Sequence, residues 1–128
     1  MELKLQTMRM AMLTTSMALA IAAGNTKAAE VPMVTGEQWT ASSDAIKKTY
    51  LIGMANMVQV QAAYHGSNPP TDAQSFVPRL AKGMQGQTLD SVREGVDRWY
   101  AANPTKLKRP VLDIIWLEMA VPGLQKNK

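Results

Sequence analysis

The chain contains no cysteine, so disulfides, thiol chemistry and cysteine-ligated zinc or iron–sulfur centres are excluded together. It has one histidine, His65, which leaves too few parts for a histidine-based metal cluster or a nucleophile–histidine–carboxylate arrangement. GxGxxG, GxxxxGK[ST], GxSxG and HExxH are all missing, which argues against the commonest nucleotide, ester and metalloprotease sites. No alternating strand pattern and no internal repeat is present. A dense basic run is missing as well. The formal charge of +4 owes much to Lys4, Arg9 and Lys27 near the N-terminus. Without those and Glu2, 11 bases stand against 9 acids, interleaved along the chain. Electrostatic binding to a phosphate backbone has little behind it, and no nucleic-acid partner is expected.

What is present begins with a secretory leader. Lys4 and Arg9 form a basic head, and Met10 to Ala23 form an apolar stretch interrupted by Thr14, Thr15 and Ser16 that runs into small residues. The run is too short to span a bilayer, which needs about 20 apolar residues, and no second such run follows. Cleavage is expected between about Ala22 and Ala29, because Ala20-Ile21-Ala22 and Thr26-Lys27-Ala28 both have a small-x-small pattern. The expected location is the periplasm, with no membrane insertion after processing. Residues 30–128 then form a single small domain.

The remaining chain reads as all-α, a compact bundle of about four helices. Residues 30–41, with Pro32 and Gly36, read as an extended, flexible arm that docks by the Trp39 indole. Ser42, Ser43 and Asp44 offer N-cap side chains, with a carboxylate in the first turn, to a helix over about 44–64. Ile46, Tyr50, Met54, Met57, Val58 and Gln61 recur at a helical period and predict its buried stripe. Gly53 within it marks either close approach of another helix or a tolerated glycine. His65 to Pro70 is a break. Thr71 or Asp72 can cap a second helix to Gly83, or that helix can begin near Val77 with Pro78 in its first turn. From a Thr88 cap, Leu89, Val92, Val96 and Trp99 line a third helix. Its Asp90/Arg93 and Glu94/Arg98 pairs are expected on a solvated face. Asn103-Pro104 ends it. The connector from Lys106 to Arg109 leads to Pro110 at the first helical position. Val111 to Val121 is predicted as the buried central helix, ended by Pro122-Gly123 and followed by a frayed tail over 123–128. The expected core is Tyr50, Met54, Phe76, Leu80, Val92, Val96, Trp99, Ile115, Trp116 and Met119.

Three sets of residues invite chemistry. Asp113 and Glu118 lie five apart on a helix, about 140° around it, and do not converge as a catalytic pair. Asp113 fits a dipole or cap role, and Glu118 a partnership with Arg109 or Arg79. Met54 and Met57 put two thioethers on one helix face, a set that suits Cu(I) if Met84 or His65 folds close to them, against the alternative that they fill the core. The third set is a contact surface, since loops on a rigid scaffold carry recognition: His65, Asn68 and Asp72 in the break, with Lys106, Lys108 and Arg109 in the connector. No catalytic residue, metal or cofactor is expected.

From Tyr50 onward the order of features resembles the Rap/Tai family of periplasmic immunity proteins, which neutralise peptidoglycan-cleaving effectors of type VI secretion. Carrying the likeness are Tyr50-Leu51-Ile52-Gly53 on the first helix, the Pro69-Pro70 break and Gln87-Thr88-Leu89 opening a helix. It continues through Trp99-Tyr100-Ala101-Ala102-Asn103-Pro104 and an apolar helix closing at Ala120-Val121-Pro122. It covers roughly residues 42–122, and the family's cysteines are absent. The resemblance implies a compact helical domain, a homodimer, that acts by binding another exported protein. The alternative is an accessory or stress-linked periplasmic protein that binds another envelope protein, a small ligand or Cu(I).

Overall fold

The computed structural model describes residues 30–66 and 75–127. The expected leader helix lies outside these, as do Asn68, Thr71 and Asp72; the described residues from Val31 onward form one compact unit. Among the described residues there are five helices and no strand, so the chain is all-α.

Helix α1 is Gly36–Thr40, within the segment expected to be extended. The Thr35 N–H donates to Gln38 Oε1 at 2.9 Å. The backbone around it is tied to the distant connector: the Val111 N–H donates to the Val34 carbonyl at 2.8 Å, and the Glu37 N–H to the Leu107 carbonyl at 3.0 Å. Thr35 and Pro110 form an isolated antiparallel bridge. Trp39 is buried, an anchor as expected, but one carried by a helix.

Helix α2, Asp44–His65, starts where Ser43 Oγ accepts the Ile46 N–H at 3.3 Å. It ends at Gly66, whose φ of 52° lies in the left-handed region open to glycine. His65 therefore sits in the last helical turn, not in a loop. The buried face also differs from the expected stripe. Leu51 is buried and Tyr50, Met54 and Val58 pack beside it, whereas Ile46 and Met57 are exposed. The cause lies in composition: no charged residue occurs from Thr49 to Tyr64, so the helix is apolar on more than one side and periodicity alone cannot choose the inward one. Nothing approaches Gly53, which leaves the tolerated glycine of the two readings.

Helix α3 is Phe76–Gly83, with Pro78 in its first turn, where its missing N–H is harmless. Leu80 is buried, but Phe76 is largely exposed, leaning on Trp116 at 4.7 Å between ring centroids. Helix α4, Leu89–Ala102, opens on reciprocal bonds between Thr88 and Ser91: Ser91 N–H to Thr88 Oγ1 at 3.0 Å and Thr88 N–H to Ser91 Oγ at 2.8 Å. Val92, Val96 and Tyr100 face inward, while Trp99 is half-buried.

Helix α5 runs over residues 111–126, with Pro110 as its N-cap and not its first turn. It does not stop at Pro122-Gly123. Its α-helical start, Val111–Ile114, widens into a π-helical turn, Ile115–Ala120, and α-geometry resumes at Val121–Lys126. The Val121 N–H reaches back five residues to the Trp116 carbonyl. A proline lacks an N–H and crowds the carbonyl one turn back; a wider turn just before Pro122 relieves that crowding and lets the helix continue. Residues 123–126, expected to fray, are helical.

The core centres on α4 and α5, where Val96, Tyr100, Val111, Ile114, Ile115 and Ala120 are all but inaccessible, with Trp39, Leu51 and Leu80 around them. Trp116 and Met119 only flank it. Backbones of α3 and α5 touch directly: a Cβ on Gly83 would collide with the Ala120 carbonyl, and one on Gly123 with the Gly83 carbonyl.

Candidate functional site

The densest polar cluster joins α1, α2 and α4. Asp97 Oδ1 accepts the Trp39 indole N–H at 2.7 Å and the Lys47 ammonium at 2.9 Å, and its Oδ2 accepts from Arg93 at 3.3 Å. Arg93 also meets Asp44 at 3.3 Å and Glu94 at 3.6 Å. Lys47 lies over the Trp39 ring, 5.7 Å from its centroid. The helix-surface pairing expected on α4 is thus only partly realised. Glu94 does reach Arg98 at 3.8 Å, but Asp90 turns to Lys48 at 3.3 Å and Arg93 bridges to α2. Arg93 itself is largely shielded from solvent, and an exposed i,i+3 pair is worth too little to hold either partner against such alternatives. The cluster is committed to holding three helices together, and a ligand would have to displace those bonds.

Tyr100 lies beneath it, its hydroxyl donating to the Arg109 carbonyl at 2.7 Å. Burial pushes its phenol up to about 12; Tyr50 and Asp113 nearby push the same way, and the Arg109 guanidinium partly offsets them. Burial likewise raises Tyr50.

Of the expected contact residues, Lys106 and Lys108 are exposed. Arg109 is occupied: its guanidinium lies over Trp99, 5.0 Å from the ring centroid, and meets Glu118 at 3.2 Å. Glu118 thereby takes one of its two expected partners, while Arg79 lies over Trp116 at 5.4 Å. His65 Nε2 is 2.9 Å from Gln61 Nε2, and its ring meets Tyr64 edge-on. Asn68 and Asp72 lie outside the described residues. No hydrogen bond, ion pair or ring contact joins His65 to the connector among the described residues. Nor does any group of three or more histidine and carboxylate side chains converge there to hold a metal ion. Met54 and Met84 share a groove, as a Cu(I) site would ask, but Met57 is exposed and does not line it.

That groove is the opening in the surface best suited to a ligand. It measures about 320 Å³ and lies between α2, α3 and α4, floored by Leu51, Leu80, Val92 and Ile115 and walled by Met54, Val58, Met84 and Leu89. Its polar lining is neutral, consisting of Gln59, Gln87 and Thr88. Sequence reasoning placed its residues in the core or in separate elements, since which apolar side chains are left open depends on how far apart the helices stand. Two neighbouring faces on an uncharged helix were the available signal. Comparison with protein-family models, curated proteins and solved structures found no match for the chain.

Proposed function

We propose that this is a periplasmic binding protein of the immunity type, which neutralises a cell-wall-degrading effector by seating an apolar part of it and performs no reaction of its own. The leader and the Rap/Tai-like order of features support the compartment and the class. The observation that carries the binding reading is the groove, an open apolar channel with a rim of neutral amides and one hydroxyl. Apolar contact gives roughly 25 cal/mol for each Å² taken from water, and the uncharged rim can hydrogen-bond a peptide backbone without demanding a charged partner. The occupant that suits it is a protein segment leading with aliphatic or aromatic side chains. Exposed Lys106 and Lys108 would sit at the rim of such an interface or beyond it, where charges tune association rate more than affinity.

Co-purification from periplasm with mass spectrometry, together with the identity of the neighbouring gene, tests this. The expected partner is a cell-wall amidase encoded beside this gene, and its capture should be lost in Val58→Glu, which places a charge in the groove, with helicity by circular dichroism retained. Capture of a different envelope protein through the same groove would replace the immunity reading with the accessory one. Capture unaffected by Val58→Glu would remove the groove from the interaction.

A further inference from the structure

In a chain without cysteine, the sulfur open to two-electron oxidation is that of methionine, and among the described residues the methionines are unevenly placed. Met54 on α2 and Met84 just past the end of α3 both line the groove. Both are half-buried, packed beside the core and still bordering the opening. Met57, about a turn further along α2, is 63% exposed and lies outside the groove. Every other side chain of the lining is a hydrocarbon, an amide or a hydroxyl. The two thioethers are therefore the groove's oxidisable atoms.

We propose that Met54 and Met84 form a modification site, at which hydrogen peroxide converts the thioethers to sulfoxides and so turns the groove against an apolar occupant. A sulfur lone pair attacks one peroxide oxygen, the S–O bond forms as the O–O bond breaks, and the departing hydroxide takes the remaining proton to leave as water. Sulfur loses two electrons and the peroxide gains them. A soft apolar atom is thereby replaced by a strong hydrogen-bond acceptor. In the open groove, water satisfies that oxygen. An apolar occupant strips the water away, and the lining returns little: the Gln87 carboxamide oxygen and the Thr88 hydroxyl already accept from Ser91. The donors left on the rim, the Gln59 and Gln87 amides, are those on which a bound backbone would draw. An acceptor buried without a partner weakens binding by roughly tenfold for each sulfoxide. The two sulfurs belong to different elements, so an occupant seated between them meets both. The change is reversible, because sulfoxide reductases restore the thioether. Its effect on affinity rests on the groove being the binding site proposed above; the chemistry at the two sulfurs does not.

Hydrogen peroxide added to the purified, folded protein, followed by peptide mapping, should place an oxygen on Met54 and Met84 as well as on exposed Met57. Nile red, a neutral apolar dye, should bind before treatment and lose roughly tenfold or more in affinity after it, with helicity by circular dichroism unchanged. Met54→Leu combined with Met84→Leu keeps the volume and removes the sulfur, so this variant should hold the dye through the same treatment. Met57→Leu should give no such protection. The proposal is overturned if Met54 and Met84 stay unmodified while Met57 reacts, if the oxidised protein still holds the dye, or if the double leucine variant loses it equally. Dye that never binds the untreated protein, or helicity lost along with the oxidation, overturns it too. Co-purification keeps the two readings apart: failure to capture a cell-wall amidase refutes the immunity reading, and the dye result still decides the modification.

Discussion

At the scale of single residues, Asp97 does most to join separate parts of the chain. Its two oxygens satisfy an indole N–H and two cations contributed by three helices, so their removal leaves a buried donor unpaired and takes from Lys47 its nearest carboxylate, while Arg93 keeps Asp44 and Glu94. Losing the partner of a buried polar group costs about 1–3 kcal/mol. Asp97→Ala should therefore lower stability by that order in urea denaturation, while Asp97→Asn, which still offers the indole an oxygen, should cost less. Equal losses would mean that the indole bond contributes little. Tyr100, with Tyr50, contributes to the loss of stability at alkaline pH. Its folded-state pKa of about 12 stands above the ordinary phenol value of 10.0, so above pH 10 the unfolded chain sheds this proton more readily than the folded one. The stability from keeping it neutral is complete below about pH 10 and is lost as pH rises towards 12, on the order of 2–3 kcal/mol. Tyr100→Phe keeps the ring and removes the titration, so its melting temperature should fall less steeply between pH 10 and 12 than that of the parent.

At the scale of elements, the crossing of α3 and α5 depends on missing side chains. Gly83→Ala must push α3 off the Ala120 carbonyl; overpacking of this kind costs about 1–3 kcal/mol. For a domain of this size each kcal/mol lowers the melting temperature by roughly 4–8 °C, which calorimetry resolves easily. Along α5 the order of sensitivity should follow burial, not size. Ile115→Ala empties a fully enclosed site, for which about 2–5 kcal/mol is usual. Trp116, half exposed between Phe76 and Arg79, should tolerate alanine better than a buried tryptophan, and a larger loss at Trp116 than at Ile115 would contradict the packing described.

These elements also show how much the sequence disclosed. Ser43, Thr88 and Asn103 marked helix ends correctly because a cap is a local event, settled within three or four residues. Pro122 misled because its effect is cancelled by a wider turn upstream, and nothing in Ile115 to Ala120 announces that turn. Trp39 was recognised as an anchor but not as core, because its partner Asp97 lies 58 residues away. On α2 an uncharged surface concealed which apolar face turns inward. The same ambiguity concealed the groove, so the candidate contact residues were sought in loops.

At the scale of the whole molecule, the proposed leader is open to a direct test. Protein recovered from periplasm should have an intact mass corresponding to a start between Ala23 and Glu30, and a mass that includes Met1 would refute export processing.

The tie between the arm and the connector bears on timing. The Val34 carbonyl pairs with the Val111 N–H, the Gly36 and Glu37 N–H groups with the Arg109 and Leu107 carbonyls, and Thr35 bridges to Pro110, while Trp39 finds Asp97. A chain threaded N-terminus first can nucleate α2 early, but it cannot close this seam until nearly all of it has emerged. Contacts so distant in sequence form late. A nascent chain lacking α4 and the connector cannot complete the native state, so the residues that lock the arm in place are made long after the arm itself.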